Sequence, residues 1–195
     1  MPRSSGDRPQ KVAEGALQVI AAQGMRGLTH RAVDAQAGLP MGTTTRYART
    51  RRDLLVAALG RLRSRFEGSV QVVPTDHIAD DRAAVEFIAS SLELMVSREV
   101  DQVAAILLRI ELRNDPELRC LVDAASEPQE NVLQHLAGIL SNLGVDEPVR
   151  RASELLVMFD GILLAKIAAG RDISIRNMVS TYLSGVRAQT SPSQV

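Results

Sequence analysis

Residues 28–59 read LTHRAVDAQAGLPMGTTTRYARTRRDLLVAAL: two short segments parted by Gly38-Leu39, then a longer amphipathic run. Short helix, glycine turn, short helix is the helix-turn-helix layout, in which two helices meet steeply and the second enters the major groove of a duplex. Thr29 suits the cap of the first helix, Thr29 to Ala37, because its hydroxyl accepts a backbone N–H. Pro40 suits the first turn of the second, Pro40 to Tyr47. Val33 and Ala37 supply an inner face, Gly38 tolerates a left-handed turn, and Leu39 plugs that turn against the core. The second helix is small and polar, with Gly42, Thr43, Thr44, Thr45, Arg46 and Tyr47. Small residues approach base edges closely, threonine contacts bases through hydroxyl and methyl, and arginine forks to guanine.

Outward from this core, helical periodicity continues in both directions. Val12, Ala13, Ala16, Leu17 and Ile20 form one stripe of a helix expected to start near Pro9 and stop at Gly24. On the other side, Thr50-Arg51-Arg52-Asp53 has the form of a capping box with Asp in place of Glu. It opens a fourth helix through Leu55, Ala58, Leu59, Leu62 and Phe66. Gly68 to His77 lacks periodicity and is expected to be a hinge. Beyond it the body is predicted all-helical. Val85, Ile88, Ala89, Leu92, Met95 and Val96 form one stripe; Val103, Ile106, Leu107 and Ile110 form another. Asp115-Pro116-Glu117 opens a further helix, with a break expected near Ala124 to Pro128 because proline removes a helix donor. Gly144 ends it, Asp146-Glu147-Pro148 begins the next, and Ser174 caps the last, whose tail frays after Arg187. The predicted fold class is all-α, about nine helices. The expected division is a helix-turn-helix domain over 1–50, a linking helix and hinge over 51–77, and a helical body over 78–190.

The 195 residues balance 23 Lys and Arg against 23 Asp and Glu, but unevenly along the chain. Residues 1–66 hold twelve basic and four acidic side chains, a net +8; the remainder carries eleven basic and nineteen acidic, a net −8. Such asymmetry points to a polyanion-binding head on a body that does not bind polyanions. Arg61, Arg63 and Arg65 are taken as the solvated face of a long helix. A lone cysteine, Cys120, excludes an intramolecular disulfide and fits a reducing compartment. The start MPRSSGDRPQK lacks an apolar signal core, and Asp160 and Lys166 interrupt the most apolar stretch, so a cytoplasmic location with no membrane partner is expected.

In order, Gly24, Thr29, Gly38, Gly42-Thr43, Tyr47, Arg51 and Leu54-Leu55 resemble the tetracycline-repressor (TetR) family of bacterial transcriptional regulators. The match covers about residues 8–60. Two positions depart from it. Ala48 stands where the family usually has an aromatic, implying looser packing of the third helix on the fourth. Met41 stands where many members have Lys, removing a phosphate contact for which Arg49, Arg51 and Arg52 compensate. The resemblance implies base reading by Thr43, Thr44, Thr45 and Arg46, and phosphate contacts by Tyr47 and Arg51. It also implies backbone contacts by Thr29, His30 and Arg31 at a helix start, where the dipole attracts anions. Arg3 and Arg8 are expected to form a flexible arm.

The run LLVMFDGILLAKIAAG is apolar around most of its circumference and must be covered from more than one side. The resemblance implies a homodimer through the last two helices, with Leu155, Met158, Phe159, Ile162, Ile167, Met178, Val179, Tyr182 and Val186 in the seam. Intrachain core is the other use of these residues. A twofold dimer presents its reading helices to half-sites about 34–36 Å apart, hence a pseudo-palindromic double-stranded DNA operator. The resemblance further implies a small-molecule effector enclosed by the fifth to eighth helices, with Met95, Leu107, Arg109, Glu111 and Phe159 as candidate contacts. Effector binding would tilt the fourth helix, spread the heads and end repression. Asp160 interrupts an apolar run as Arg109 and Glu111 do, and for all three an exposed or ion-paired place is the competing use. His30, His77 and His135 are scattered, and no metal spacing, Walker loop or dinucleotide glycine motif occurs, so no cofactor or metal and no catalytic residue is expected. A helical protein–protein adaptor and an all-α enzyme with an internal pocket stand as the alternatives.

Overall fold

A computed structural model describes residues 7–67, 78, 80–119 and 127–190. Among them lie ten α-helices and no strand: α1 (Arg8–Gly27), α2 (His30–Gln36), α3 (Thr43–Tyr47), α4 (Arg51–Glu67), α5 (Asp81–Ser97), α6 (Glu99–Glu111), α7 (Pro116–Arg119), α8 (Glu127–Asn142), α9 (Pro148–Ile167) and α10 (Ile175–Thr190). The all-α reading holds. The count exceeds nine because the segment opened by Pro116 contributes two described helices, α7 and α8, the second beginning at Glu127 within the span expected to break. Residues 120–126 and the predicted hinge, 68–77, lie outside the described residues; the tail expected to fray after Arg187 stays helical to Thr190, and 191–195 lie outside the described residues.

Local chemistry sets the helix ends. Thr29 accepts from the Ala32 amide at 3.2 Å, Asp80 from Ala83 at 2.7 Å, Asp115 from Leu118 at 3.1 Å and Ser174 from Asn177 at 3.3 Å. The capping box is reciprocal: the Asp53 amide donates to Thr50 Oγ1 at 3.1 Å, while the Thr50 amide donates to Asp53 Oδ2 at 2.9 Å. Gly24 takes φ 69° and kinks α1 where a stop was expected, after which the helix resumes to Gly27. The reading helix starts later than Pro40. Gly42 holds φ 83° as its N-cap, so Pro40 and Met41 belong to the turn.

Two compact units emerge, and neither is continuous in sequence. One comprises the described residues of Met1–Ser69 and Val100–Pro128; the other those of Val70–Glu99 and Gln129–Val195. In the first, Leu17, Ile20, Leu54 and Leu59 share a core with Ala104, Leu108, Leu112 and Leu118. Gly15 lets α1 and α2 approach, since a Cβ there would meet Ala37 Cβ at 3.0 Å and the Val33 carbonyl at 3.1 Å. In the second, α5, α8, α9 and α10 bury Ile88, Leu92, Ile139, Leu140, Leu155, Ile162 and Leu183. Truncating such a leucine to alanine costs about 2–5 kcal/mol.

Candidate nucleic-acid interface and effector site

The reading helix is held from beneath by Asp34, a residue on the buried face of α2 beside Val33. Its carboxylate is 3% exposed and accepts the Gly42 amide at 2.7 Å and the Thr44 amide at 2.8 Å. Those are amides at the start of α3 that lack helical partners, so one anion satisfies both and complements the helix N-terminus. Burial alone would raise the Asp34 pKa. Hydrogen bonds from Thr44 and Gly42, with His30 nearby, outweigh it and hold the carboxyl below its usual range. Sequence reading missed Asp34 because its partners are eight and ten residues away, outside any local capping pattern. The available signal was an acid next to Val33 on the inner face.

Thr45, Arg46 and Tyr47 are exposed and Thr43 is half-buried. Thr44 faces the other way, 0% exposed, and is withdrawn as a base reader: a five-residue helix packed on a core must turn one side inward. His30 is also redirected. Its half-buried Nε2 lies 2.7 Å from the Ala48 carbonyl, and since a carbonyl only accepts, Nε2 carries the proton and donates. The bond ties the start of α2 to the end of α3. Ala48 itself is buried in the same core, so the small residue fills its place there without an aromatic. Thr29 and Arg31 are exposed. Met41, at 81% exposure, stands free beside the reading helix. Arg8 is the first residue of α1, not part of a loose arm, and Arg3 lies outside the described residues.

The start of α4 is crowded with ion pairs. Arg51 donates to the Met25 carbonyl at 2.6 Å and lies 3.6 Å from Glu111. Arg52 pairs with Asp115 and, at 2.6 Å, with Glu117. The hydrogen bond with Asp115, helped by Glu117, raises the Arg52 pKa, and the same contact lowers that of Asp115. Further along, Arg61 pairs with Glu14 at 2.9 Å, Arg63 with Glu67 at 2.7 Å, and Arg65 with Asp101. These three arginines are half-buried and paired, not a solvated face. Asp101, Glu111, Asp115 and Glu117 thus lie in the same unit as the basic head and offset part of its charge.

The candidate effector residues separate. Leu107 packs on the core of the first unit and Glu111 faces Arg51 there, while Met95 and Phe159 belong to the second. Arg109 is half-buried, and Asp160 is exposed. The second unit contains one polar group absent from the expectation: His135 of α8, edge-on to Phe87 of α5 at 5.6 Å between ring centroids. Its buried Nε2 meets no hydrogen-bond partner among the described residues, and burial lowers its pKa. No group of three or more His, Cys, Asp or Glu among the described residues is arranged to hold a metal ion.

The seam residues also need correction. Leu155, Phe159, Ile162, Val179 and Val186 are buried within their own chain, Met158, Ile167 and Tyr182 are half-buried, and Met178 is exposed. Tyr182 donates to the Arg151 carbonyl at 2.7 Å, and burial, aided by Glu154, pushes its pKa up to about 12. A helix apolar all round gives no clue to which side meets its own core. The residues left outside on α9 are Val149, Arg150, Ser153, Val157, Asp160, Gly161 and Leu164, an arc of about 120°. On α10 the exposed residues include Met178, Thr181, Gly185 and Ala188, which share one side of the helix.

Residues 79–188 match the model for the tetracyclin repressor-like C-terminal domain. The chain belongs to the TetR family. Its members are transcriptional regulators, and the match spans the part of the chain that the head motif does not reach. No curated protein sequence matches. Among solved structures, a TetR-family member from Streptomyces coelicolor A3 shares 25% identity with a TM-score of 0.70, covering 92% of this chain and 98% of that one. The multidrug-binding protein EbrR, complexed with malachite green, shares 28% with a TM-score of 0.68 over 92% and 98%. A transcriptional regulator from Rhodococcus sp. Rha1, 19% identical with a TM-score of 0.72 over 93% and 96%, shares the fold. This TetR-family chain is thus a transcriptional regulator with a ligand-binding domain. No helix among its described residues is long and apolar enough to cross a membrane.

Proposed function

We propose that this TetR-family regulator is a cytoplasmic repressor that binds a pseudo-palindromic operator as a homodimer and leaves it when a small-molecule effector binds. The observation that carries the reading is α3 itself. Thr45, Arg46 and Tyr47 are exposed on a helix whose start is clamped by the buried Asp34, and a rigid reading element loses less entropy on binding. Thr43, Thr45 and Arg46 read bases, while Tyr47, Arg51, Thr29 and Arg31 meet the backbone. Residues 1–50 together with Arg51 recognise DNA, 51–77 link, and the part of 78–190 in the second unit holds effector and partner.

The dimer seam is assigned to the outward stripes of α9 and α10, with Val149, Val157 and Leu164 facing Met178 and the small residues Thr181, Gly185 and Ala188. For the effector, Met95, Phe159 and the His135–Phe87 pair supply apolar contact and one polar hook within a single unit. That EbrR is a multidrug-binding protein supports a small organic effector here. An effector that binds the spread form better draws the population off DNA. The test is a mobility shift of the chain against the DNA upstream of its own gene, titrated with salt. A sequence-selective shift that weakens linearly in log salt is expected; equal retardation of all duplexes, or none, would refute operator recognition.

A further inference from the structure

The acids that meet Arg51 and Arg52 are carried on a short segment that contains two buried leucines. Leu112 and Leu118 are buried in the core of the first unit, and Asp115 and Pro116 start α7 between them. Pinned on both sides, this segment holds Glu111, Asp115 and Glu117 against the start of α4. Two carboxylates across one guanidinium, with a third near its neighbour, offer the charge and the acceptors that a phosphate backbone offers. We propose that segment 111–117 is a built-in phosphate mimic that competes with the duplex for Arg51 and Arg52 and so weakens DNA binding. The proposal rests on the DNA-binding reading above and concerns the regulation of that site.

The competition has a signature in salt. An arginine already paired with a carboxylate can move to a phosphate only by leaving that carboxylate to recruit a cation, so the net release of ions is smaller than for a free arginine. Removing the acids restores the full release, about 0.9 in the slope of log affinity against log salt for each phosphate neutralised. The gain is independent of sequence, because phosphate contacts carry no base information.

The experiment uses full-length protein and compares wild type, D115N/E117Q and the charge-matched control E93Q/E147Q on the operator and on an unrelated duplex. Asn at 115 keeps a good helix cap, and circular dichroism with a thermal melt checks folding. D115N/E117Q is expected to bind both duplexes roughly threefold to tenfold tighter near 100 mM salt, with a slope steeper by about 0.9, and the control to change less. In an R52A background the same acid removal is expected to give no comparable gain. Unchanged or weaker binding by a folded D115N/E117Q, or an equal gain in the control, overturns the mimic while leaving operator binding intact. If wild type and every variant ignore both duplexes, the DNA-binding reading itself falls and takes the proposal with it.

Discussion

The carboxylate of Asp34 receives the Thr44 amide at 2.8 Å from a helix ten residues further along the chain, and the same group receives Gly42 at 2.7 Å. One buried anion thus fixes both the start of the reading helix and the left-handed residue before it.

Asp34→Ala leaves two amides without their acceptor and is expected to destabilise the first unit by about 2–3 kcal/mol. Asp34→Asn keeps one acceptor but turns an NH2 toward the second amide, so it too loses operator binding. Because the folded pKa of Asp34 lies below its unfolded value, its contribution is complete above the ordinary carboxylate range and is lost as pH falls through the folded pKa. Acid titration followed by circular dichroism should show this loss in wild type and a flatter profile in Asp34→Asn. Equal profiles would remove Asp34 from the clamp.

Gly42→Ala tests the backbone alone. No heavy atom lies within 4 Å of the added Cβ, yet φ 83° is costly for an L-residue, so a loss of about 1–2 kcal/mol is expected without any clash. A chemical-denaturation curve unchanged from wild type would mean that the turn relaxes freely.

Arg46→Ala is expected to cost roughly 1–3 kcal/mol on the operator and little on unrelated DNA, if its guanidinium forks to a guanine. Competition binding measures the ratio, and a uniform loss on both duplexes would reassign Arg46 to phosphate.

Val157 and Val179 separate seam from core. Val157 is 70% exposed and Val179 is 0% exposed. Val157→Glu should therefore give folded monomers in sedimentation, whereas Val179→Asp should unfold the second unit by burying an unpaired charge. A folded dimer from Val157→Glu would move the seam elsewhere.

How much of this was legible beforehand depended on the range of the interactions. Thr29, Thr50-Asp53, Asp115 and Ser174 cap helices within three residues of themselves, and their roles follow from spacing. The alternation of small, polar and basic residues in 28–59 likewise announces the layout of the head. What spacing does not encode is the third dimension. Asp34 finds its partners across a turn, Thr44 and Val179 turn inward where identity alone allowed either side, and Arg52 and Arg65 of α4 meet acids more than thirty residues away. The expected seam failed at Leu155 and Ile162 for the same reason: both sides of α9 are apolar, and only packing chooses between them.

The mixed ancestry of the first core has a practical consequence. Ala104, Leu108, Leu112 and Leu118 lie in the same cluster as Leu54 and Leu59, so a fragment ending at residue 77 would strip one wall from its own interior. Anyone grafting this head onto another regulator must transplant two lengths of chain together, because a single cut yields a sticky, half-finished module.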